Sequence, residues 1–215
     1  MGTRKLVFEI YKPGQPNSVR TTELHPNTID SAVDMSQLDA NTVYGWHVWA
    51  QDINGHAQLQ SGTVRTLHRH VEVNFQKIDV IDDSDDLSGG DLTFWFNANG
   101  KWNEDNMYGE VTVDTGDSAW PNHVETVHDA PNSILVGTYG HDDDCGPFTL
   151  CVEALGPSFT GGSDDEGDWA SASMNLNLNI PGPNESFVAV TDFQTTQWSL
   201  KFKVTVQYTV SYTFA

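Results

Sequence analysis

Apolar and polar residues alternate with a period of two along almost the whole chain. Leu6, Phe8 and Ile10 alternate until Lys12-Pro13-Gly14 interrupts them, and Tyr44, Trp46, Val48 and Ala50 alternate until Asn54-Gly55. Val71, Val73 and Phe75 form a third run, and Leu92, Phe94 and Phe96 a fourth that leads into Asn99-Gly100. Met174, Leu176, Leu178 and Ile180 form a fifth, and the longest is Leu200, Phe202, Val204, Val206, Tyr208, Val210 and Tyr212. Successive side chains of a strand point to opposite faces, so this pattern buries one face of an antiparallel sheet. Helical periodicity is nearly absent, and the Asn-Gly pairs are hairpin signals. The expected fold is therefore all-β. Strands are expected at 5–11, 18–24, 29–35, 43–51 and 61–67. Eight more are expected at 70–81, 91–98, 101–113, 123–128, 133–140, 147–155, 170–180 and 198–214.

Charge divides the same chain in two. The net charge is −20, but residues 1–69 hold six acids and six bases. The other 24 acids share residues 70–215 with only Lys77, Lys101, Lys201 and Lys203. Nucleic-acid binding needs a basic surface to displace counterions, so it is excluded as an expectation. No apolar run approaches the ~20 residues that cross a membrane, so membrane insertion is not expected. The opening Met1-Gly-Thr-Arg-Lys-Leu6 is not followed by the apolar stretch of roughly 7–15 residues that a signal peptide carries. The boundary falls at Leu67-His-Arg-His70, which lacks the glycine and serine of a flexible linker, so a rigid junction is expected. The units are 1–68 and 69–215.

The first unit carries a family pattern. Leu38-x5-Tyr44 is followed by Trp46, Val48, Ala50, Asp52 and Gly55, and then by Gly62-Thr-Val-Arg-Thr66. Over residues 5–67 this resembles the second half of a fibronectin type III domain. The resemblance implies a tyrosine corner, in which the phenol bonds back to the backbone before a core strand. A complete domain of that family has seven strands, and the sequence supplies five here. Three explanations of the incomplete sandwich stay open: the sequence starts inside the domain, other protein subunits supply the absent strands by strand complementation, or the fold is a smaller relative. The edge left for pairing favours assembly. The resemblance also implies a structural or adhesive role at the cell surface, outside the cell or in a virion.

Half of the acids in the second unit fall in three short stretches. They are Asp82, Asp83, Asp85, Asp86 and Asp91; Asp142-Asp-Asp144; and Asp164, Asp165, Glu166 and Asp168. Calcium takes six to eight oxygen ligands, and short carboxylates on tight loops supply them. Adjacent like charges repel without a cation between them. If the strands run up and down in order and 123–128 is one of them, connections 82–90, 114–122 and 141–146 share one end, and 156–169 goes to the other. If 123–128 is loop, 82–90 and 156–169 share an end instead. The first case is favoured because eight strands pair evenly into two sheets of four. The expected calcium site is then Asp82, Asp83, Asp85 and Asp86 with Asp142 and Asp144, and Asp164, Asp165 and Asp168 form a second acidic site. Eight strands with Asp-rich loops at one end resemble the C2 family, and Asp142-x-Asp144 matches the Asp-x-Asp of one of its loops. The basic membrane contacts of that family have no counterpart here. The expectation is thus two antiparallel β-sandwich domains, the first fibronectin type III-like and incomplete, the second eight-stranded and C2-like. Plain solvated charge is the competing reading of the acidic stretches.

Seven tryptophans open an alternative, a carbohydrate-binding accessory module. Trp46 is in phase with the core positions of its run, whereas Trp49 and Trp95 are out of phase and expected at the surface. Trp95, Trp102 and Trp120 are the candidate sugar platform. No serine-hydrolase elbow, zinc-protease motif or phosphate-binding loop occurs, and no nucleophile, base and oxyanion donor stand together, so an enzyme is not expected. His68 and His70 are two apart on an extended stretch and should face one side as a solvated pair. Cys145 and Cys151 could close a disulfide only if Gly146-Pro147 turns the chain back.

Overall fold

The computed structural model describes residues 5–15, 17–24, 38–52, 55–83, 90–142, 168–176, 185–195 and 200–214. Every regular element among them is a strand, and every pairing is antiparallel. No helix among the described residues is long and apolar enough to cross a membrane.

The first sheet comprises β1 (Lys5–Tyr11), β2 (Ser18–Leu24), β3 (Val43–Asp52) and β4 (Gly55–Arg65), in the order β2-β1-β3-β4. The break after β1 is a turn in which the Gln15 amide donates to the Lys12 carbonyl at 3.0 Å. Pro13 fixes its first central position, and Gly14 supplies φ +82°, which a side chain would strain. Leu6, Phe8 and Ile10 pair across the sheet with Ala50, Val48 and Trp46, so the apolar runs of β1 and β3 share one face. Ile10, Leu38 and Tyr44 are buried there, and Phe8 and Trp46 pack against them half-buried. Tyr44 sits at the head of β3 and its phenolic oxygen accepts the Asp39 amide at 3.0 Å.

Nine strands follow: β5 (His68–Asp82), β6 (Gly90–Ala98), β7 (Lys101–Val113), β8 (Ser118–Ala119), β9 (His123–Val127), β10 (Ser133–Asp142), β11 (Asp168–Asn175), β12 (Ser186–Gln194) and β13 (Lys201–Thr213). The second sheet runs β12-β13-β5, with β8 and β9 pairing in turn along the free side of β5. The third runs β11-β10-β6-β7. The two sheets face each other across one core. Phe75 of β5 lies 4.6 Å from Phe96 of β6, and Phe202 of β13 meets Phe94 edge-on at 5.3 Å. At Gly140 a Cβ would lie 2.7 Å from the Phe202 ring and 2.9 Å from Phe94, so β10 approaches closely there only because it has no side chain. The β6–β7 hairpin turns on Asn99 (φ 58°) and Gly100 (φ 81°), the doubly left-handed turn that Asn-Gly favours.

Two local devices keep the alternation working. In β5 the buried positions shift from Val71, Val73 and Phe75 to Ile78 and Val80. The register with β13 slips at the same place, so a bulge at Gln76 returns Ile78 and Val80 to the core side. Arg69 is buried at the opposite end of β5. Its guanidinium donates to the Tyr212 phenol at 2.9 Å, the Pro131 carbonyl at 2.8 Å and the Asn132 side chain at 3.0 Å. A buried charge needs such partners, and these tie three segments of chain together.

The strand expectations need three corrections. β12 was not expected, because SFVAVTDFQ carries apolar residues on both faces: Phe193 is buried while Val188 and Val190 are exposed. That strand and the two-residue β8 raise the strand number after residue 68 above eight. β4 starts six residues before the expected 61. The expected strands 29–35 and 147–155, and Cys145 and Cys151, lie outside the described residues.

Two residues, Thr66 and Leu67, connect β4 of the first sheet to β5 of the second. The Thr66 hydroxyl donates to the Asp39 carbonyl at 2.6 Å, the Asn41 amide donates to the Leu67 carbonyl at 2.9 Å, and Leu67 packs on the large core. Asp129, after β9, accepts from His68 Nδ1 at 2.5 Å and from the Asn41 side chain at 3.1 Å, which bridges the junction.

Candidate functional site

β5, β7 and β10 end, and β6, β8, β11 and β13 begin, at one end of the two-layer body. The pairings that place them there are Asp82 with Lys201, Gly90 with Val113, Leu92 with Asp142, and Gly140 with Asp168. Asp168 therefore stands at the same end as Asp82 and Asp142. This corrects the expectation that connection 156–169 lies opposite: β10 and β11 are antiparallel neighbours, so the chain between them leaves and returns at one end.

Two of the described acids at this end are held by neighbouring side chains. Asp82 is paired with the Lys201 ammonium. Asp83 is buried; its carboxylate accepts the Thr115 amide at 3.1 Å and the Thr115 hydroxyl at 2.8 Å, and that hydroxyl accepts the Asp83 amide at 3.1 Å. This reciprocal set clamps the segment after β5 to the turn after β7. Asp142 is buried on the core side of β10. Asp85, Asp86, Asp144, Asp164 and Asp165 lie outside the described residues. Asp168 is placed by its backbone alone. Among the described residues no group of three or more His, Cys, Asp or Glu is close enough to hold a metal.

Nearby, the outer face of the second sheet carries ion pairs. Lys77 lies 2.5 Å from Asp79, and Lys203 2.7 Å from Asp192. Burial pushes the Asp79 carboxyl up, but hydrogen bonds from Lys77 and Ser118 outweigh it and hold the group below the usual carboxylate range. The Lys203 hydrogen bond holds Asp192 low, and Asp192 in turn raises Lys203.

The tryptophans separate. Trp120 is 58% exposed after β8, with the Lys77 ammonium 5.3 Å from its ring centre. Trp95 is only 5% exposed, although it points away from the core between Phe94 and Phe96. Trp102 occupies the register position opposite Asn97 in β7, and its side chain lies outside the description. Trp120 directly follows β8 of the second sheet, whereas Trp95 and Trp102 stand on β6 and β7 of the third.

A different aromatic set does come together. Trp95, Tyr139 and Trp169 are direct cross-strand neighbours on β6, β10 and β11. Ring centres lie 5.6 Å apart for Trp95 and Tyr139 and 6.2 Å for Tyr139 and Trp169. Sequence reading missed this row because its members are far apart in the chain and only strand register aligns them. Trp49 is half-buried rather than exposed, and its indole donates to Glu9 at 2.7 Å. His47 donates to the same carboxylate oxygen at 2.5 Å. His68 and His70 do face one side, their rings stacked 6.0 Å apart, but they are built into the junction. His68 bonds Asp129, and His70 Nδ1 lies 3.0 Å from His128 Nδ1.

The fold and these sites define the class as an all-β protein of three antiparallel sheets. No family model matches the chain, and neither a curated protein nor a solved structure matches it.

Proposed function

We propose that this chain is a non-enzymatic structural or adhesive module of a cell-surface, secreted or virion assembly, and that another protein subunit completes its first sheet. One observation carries the reading. The face built from Leu6, Phe8, Ile10, Trp46, Val48 and Ala50 is apolar, yet most of it is only half-buried. Among the described residues no second sheet packs on it. The opposite face satisfies itself through Glu9, His47 and Trp49, so the apolar face is the one that gains from a cover.

The strand order supports the fibronectin-like reading. In immunoglobulin-type sandwiches one sheet runs C′-C-F-G, with the tyrosine corner entering F. The order β2-β1-β3-β4, with the Tyr44 bond at the head of β3, has that arrangement. The missing layer would then be the opposing sheet, and strand or sheet donation by a neighbour is a known way to supply one. The non-enzymatic part rests on polar groups already used in the fold: Asp82 by Lys201, Asp83 by Thr115 and Glu9 by His47 and Trp49. Sedimentation tests the assembly reading. The chain should associate as its concentration rises, and Phe8→Lys should abolish this while Val7→Lys, on the other face, should not. A strictly monomeric chain that fails to bind a hydrophobic dye would overturn it.

We propose further that calcium stiffens the acidic end of a C2-like second sandwich. The supporting observation is that the strands flanking all three acidic stretches end together. Calcium at 100 times its dissociation constant adds about 2.7 kcal/mol. Melting should therefore rise by several degrees in calcium over EGTA, with magnesium inert. No rise, in protein that metal analysis finds free of calcium, removes this reading.

A further inference from the structure

We infer that the outer face of the third sheet is a binding platform for a neutral polysaccharide, centred on Trp169. The face is a grid set by register. Its first row is Trp95, Tyr139 and Trp169; its second is Asn97, Gly137 and Ser171; Leu135 and Ser173 lie beyond.

Gly137 gives the platform its shape. A Cβ there would lie 3.0 Å from Cζ3 of Trp169, so the indole reaches across β10 into the space a side chain would fill. Gly137 has no positive φ, so its backbone does not require glycine. The space over it does. The indole is held from the side by Tyr139 and still leaves 41% of its residue exposed. Leu135, two positions along β10 from Gly137, is also exposed.

The chemistry of this surface suits a pyranose chain. The C–H face of a sugar ring is apolar and stacks on an aromatic face, while its rim of hydroxyls needs donors and acceptors close by. Ser171 supplies one hydroxyl beside the indole. The Ser133 and Ser173 hydroxyls form a pair 2.7 Å apart further along the face. Trp95 and Asn97 on β6 are buried, so the accessible strip runs along β10 and β11 from Trp169 past Ser171 to Leu135 and Ser173. Its length suits a chain of several sugars better than a single one. Charge selects among polysaccharides: residues 70–215 hold 24 acids and four bases, and this repels uronic or sulfated chains. Trp120 is the internal control, being more exposed than Trp169 but lying under Lys77 on another sheet.

The test is tryptophan fluorescence titration of the full chain with cellohexaose, chitohexaose and mannohexaose, with polygalacturonate as the anionic comparison. At least one neutral hexasaccharide should bind with a dissociation constant below about 1 mM. Trp169→Ala should weaken it by about tenfold or more, and Trp120→Ala should leave it unchanged. Gly137→Val gives a second route, since it displaces the indole without removing it, and Trp169→Phe should retain most of the affinity. Circular dichroism confirms that each variant is folded. Failure of all three neutral sugars to bind, equal binding by Trp169→Ala, or preference for polygalacturonate would each overturn the platform. The assembly and calcium readings stand on other residues and are untouched by either result.

Discussion

The first sheet and the two-layer body are written in the same period-two pattern but reach different states. In the body, Phe75, Phe94, Phe96 and Phe202 are wholly buried between two sheets. In the first sheet, Phe8 and Trp46 occupy equivalent in-phase positions and stay half-buried. The alternation decides which face is apolar. It does not decide what lies on that face, because burial depends on a second layer. The difference is one of partners rather than of strand quality, since the pairings of β1 with β3 and of β3 with β4 run the length of those strands.

Paired truncations measure that difference directly. Phe202→Ala removes a ring packed edge-on against Phe94 and over Gly140. It should cost about 3–5 kcal/mol in urea unfolding, the usual result of emptying a core aromatic site. Phe8→Ala in the isolated chain should cost roughly 1–2 kcal/mol, because part of that ring already meets water. Equal costs would break the comparison and show that the first sheet is covered. A Phe8→Ala cost that grows with protein concentration would sharpen it, since association would then supply the burial.

Tyr44→Phe probes the smaller core more finely. It keeps the buried ring and removes the acceptor for the Asp39 amide. The expected loss is about 1 kcal/mol, typical of one hydrogen bond. The Asp39 amide should also exchange faster with solvent while amides of β13 keep their protection. If β13 loosened to the same degree, the two regions would be a single cooperative unit and the contrast between them would lose its energetic meaning.

These effects depend on features of unequal legibility. The face of each major strand was readable because aliphatic and aromatic residues recur at every second position in β1, β3, β6 and β13. The turn at Asn99-Gly100 was readable because few other pairs adopt two positive φ angles without strain. β12 was not, since Val188 and Val190 on its outer face erase the polar half of the signal. Nor was the fate of Trp95, because phase assigns a face and burial on that face is set by neighbours from other strands. The acidic stretches were readable as clusters, but their arrangement required the pairing of Gly140 with Asp168, a long-range register that no local pattern encodes. The same limit hid the row of Trp95, Tyr139 and Trp169. It also hid the use of Thr115 as the partner of Asp83.

The smallest expected effect lies at the junction. The hydrogen bond from His68 is the main influence on Asp129, with Asn41 adding a second, and the carboxyl is held below its ordinary value. A carboxyl lowered on folding stabilises the fold above its unfolded pKa of about 3.9, and that contribution is lost as the pH falls through the lower folded value. Asp129→Asn should therefore lower the melting temperature slightly at neutral pH, and the difference from the parent should vanish as the pH falls below about 4. It also removes the carboxylate that links His68 at the start of β5 to Asn41 of the first unit. Calorimetry at neutral pH then reads the coupling. If Asp129 helps the two regions unfold together, the variant should broaden the transition or split off an earlier one for the first sheet. An unchanged single transition would mean that Leu67 and the backbone bonds around it carry the coupling alone. In that case the first sheet, despite its half-buried face, borrows its stability from the body through packing rather than through the charged tie.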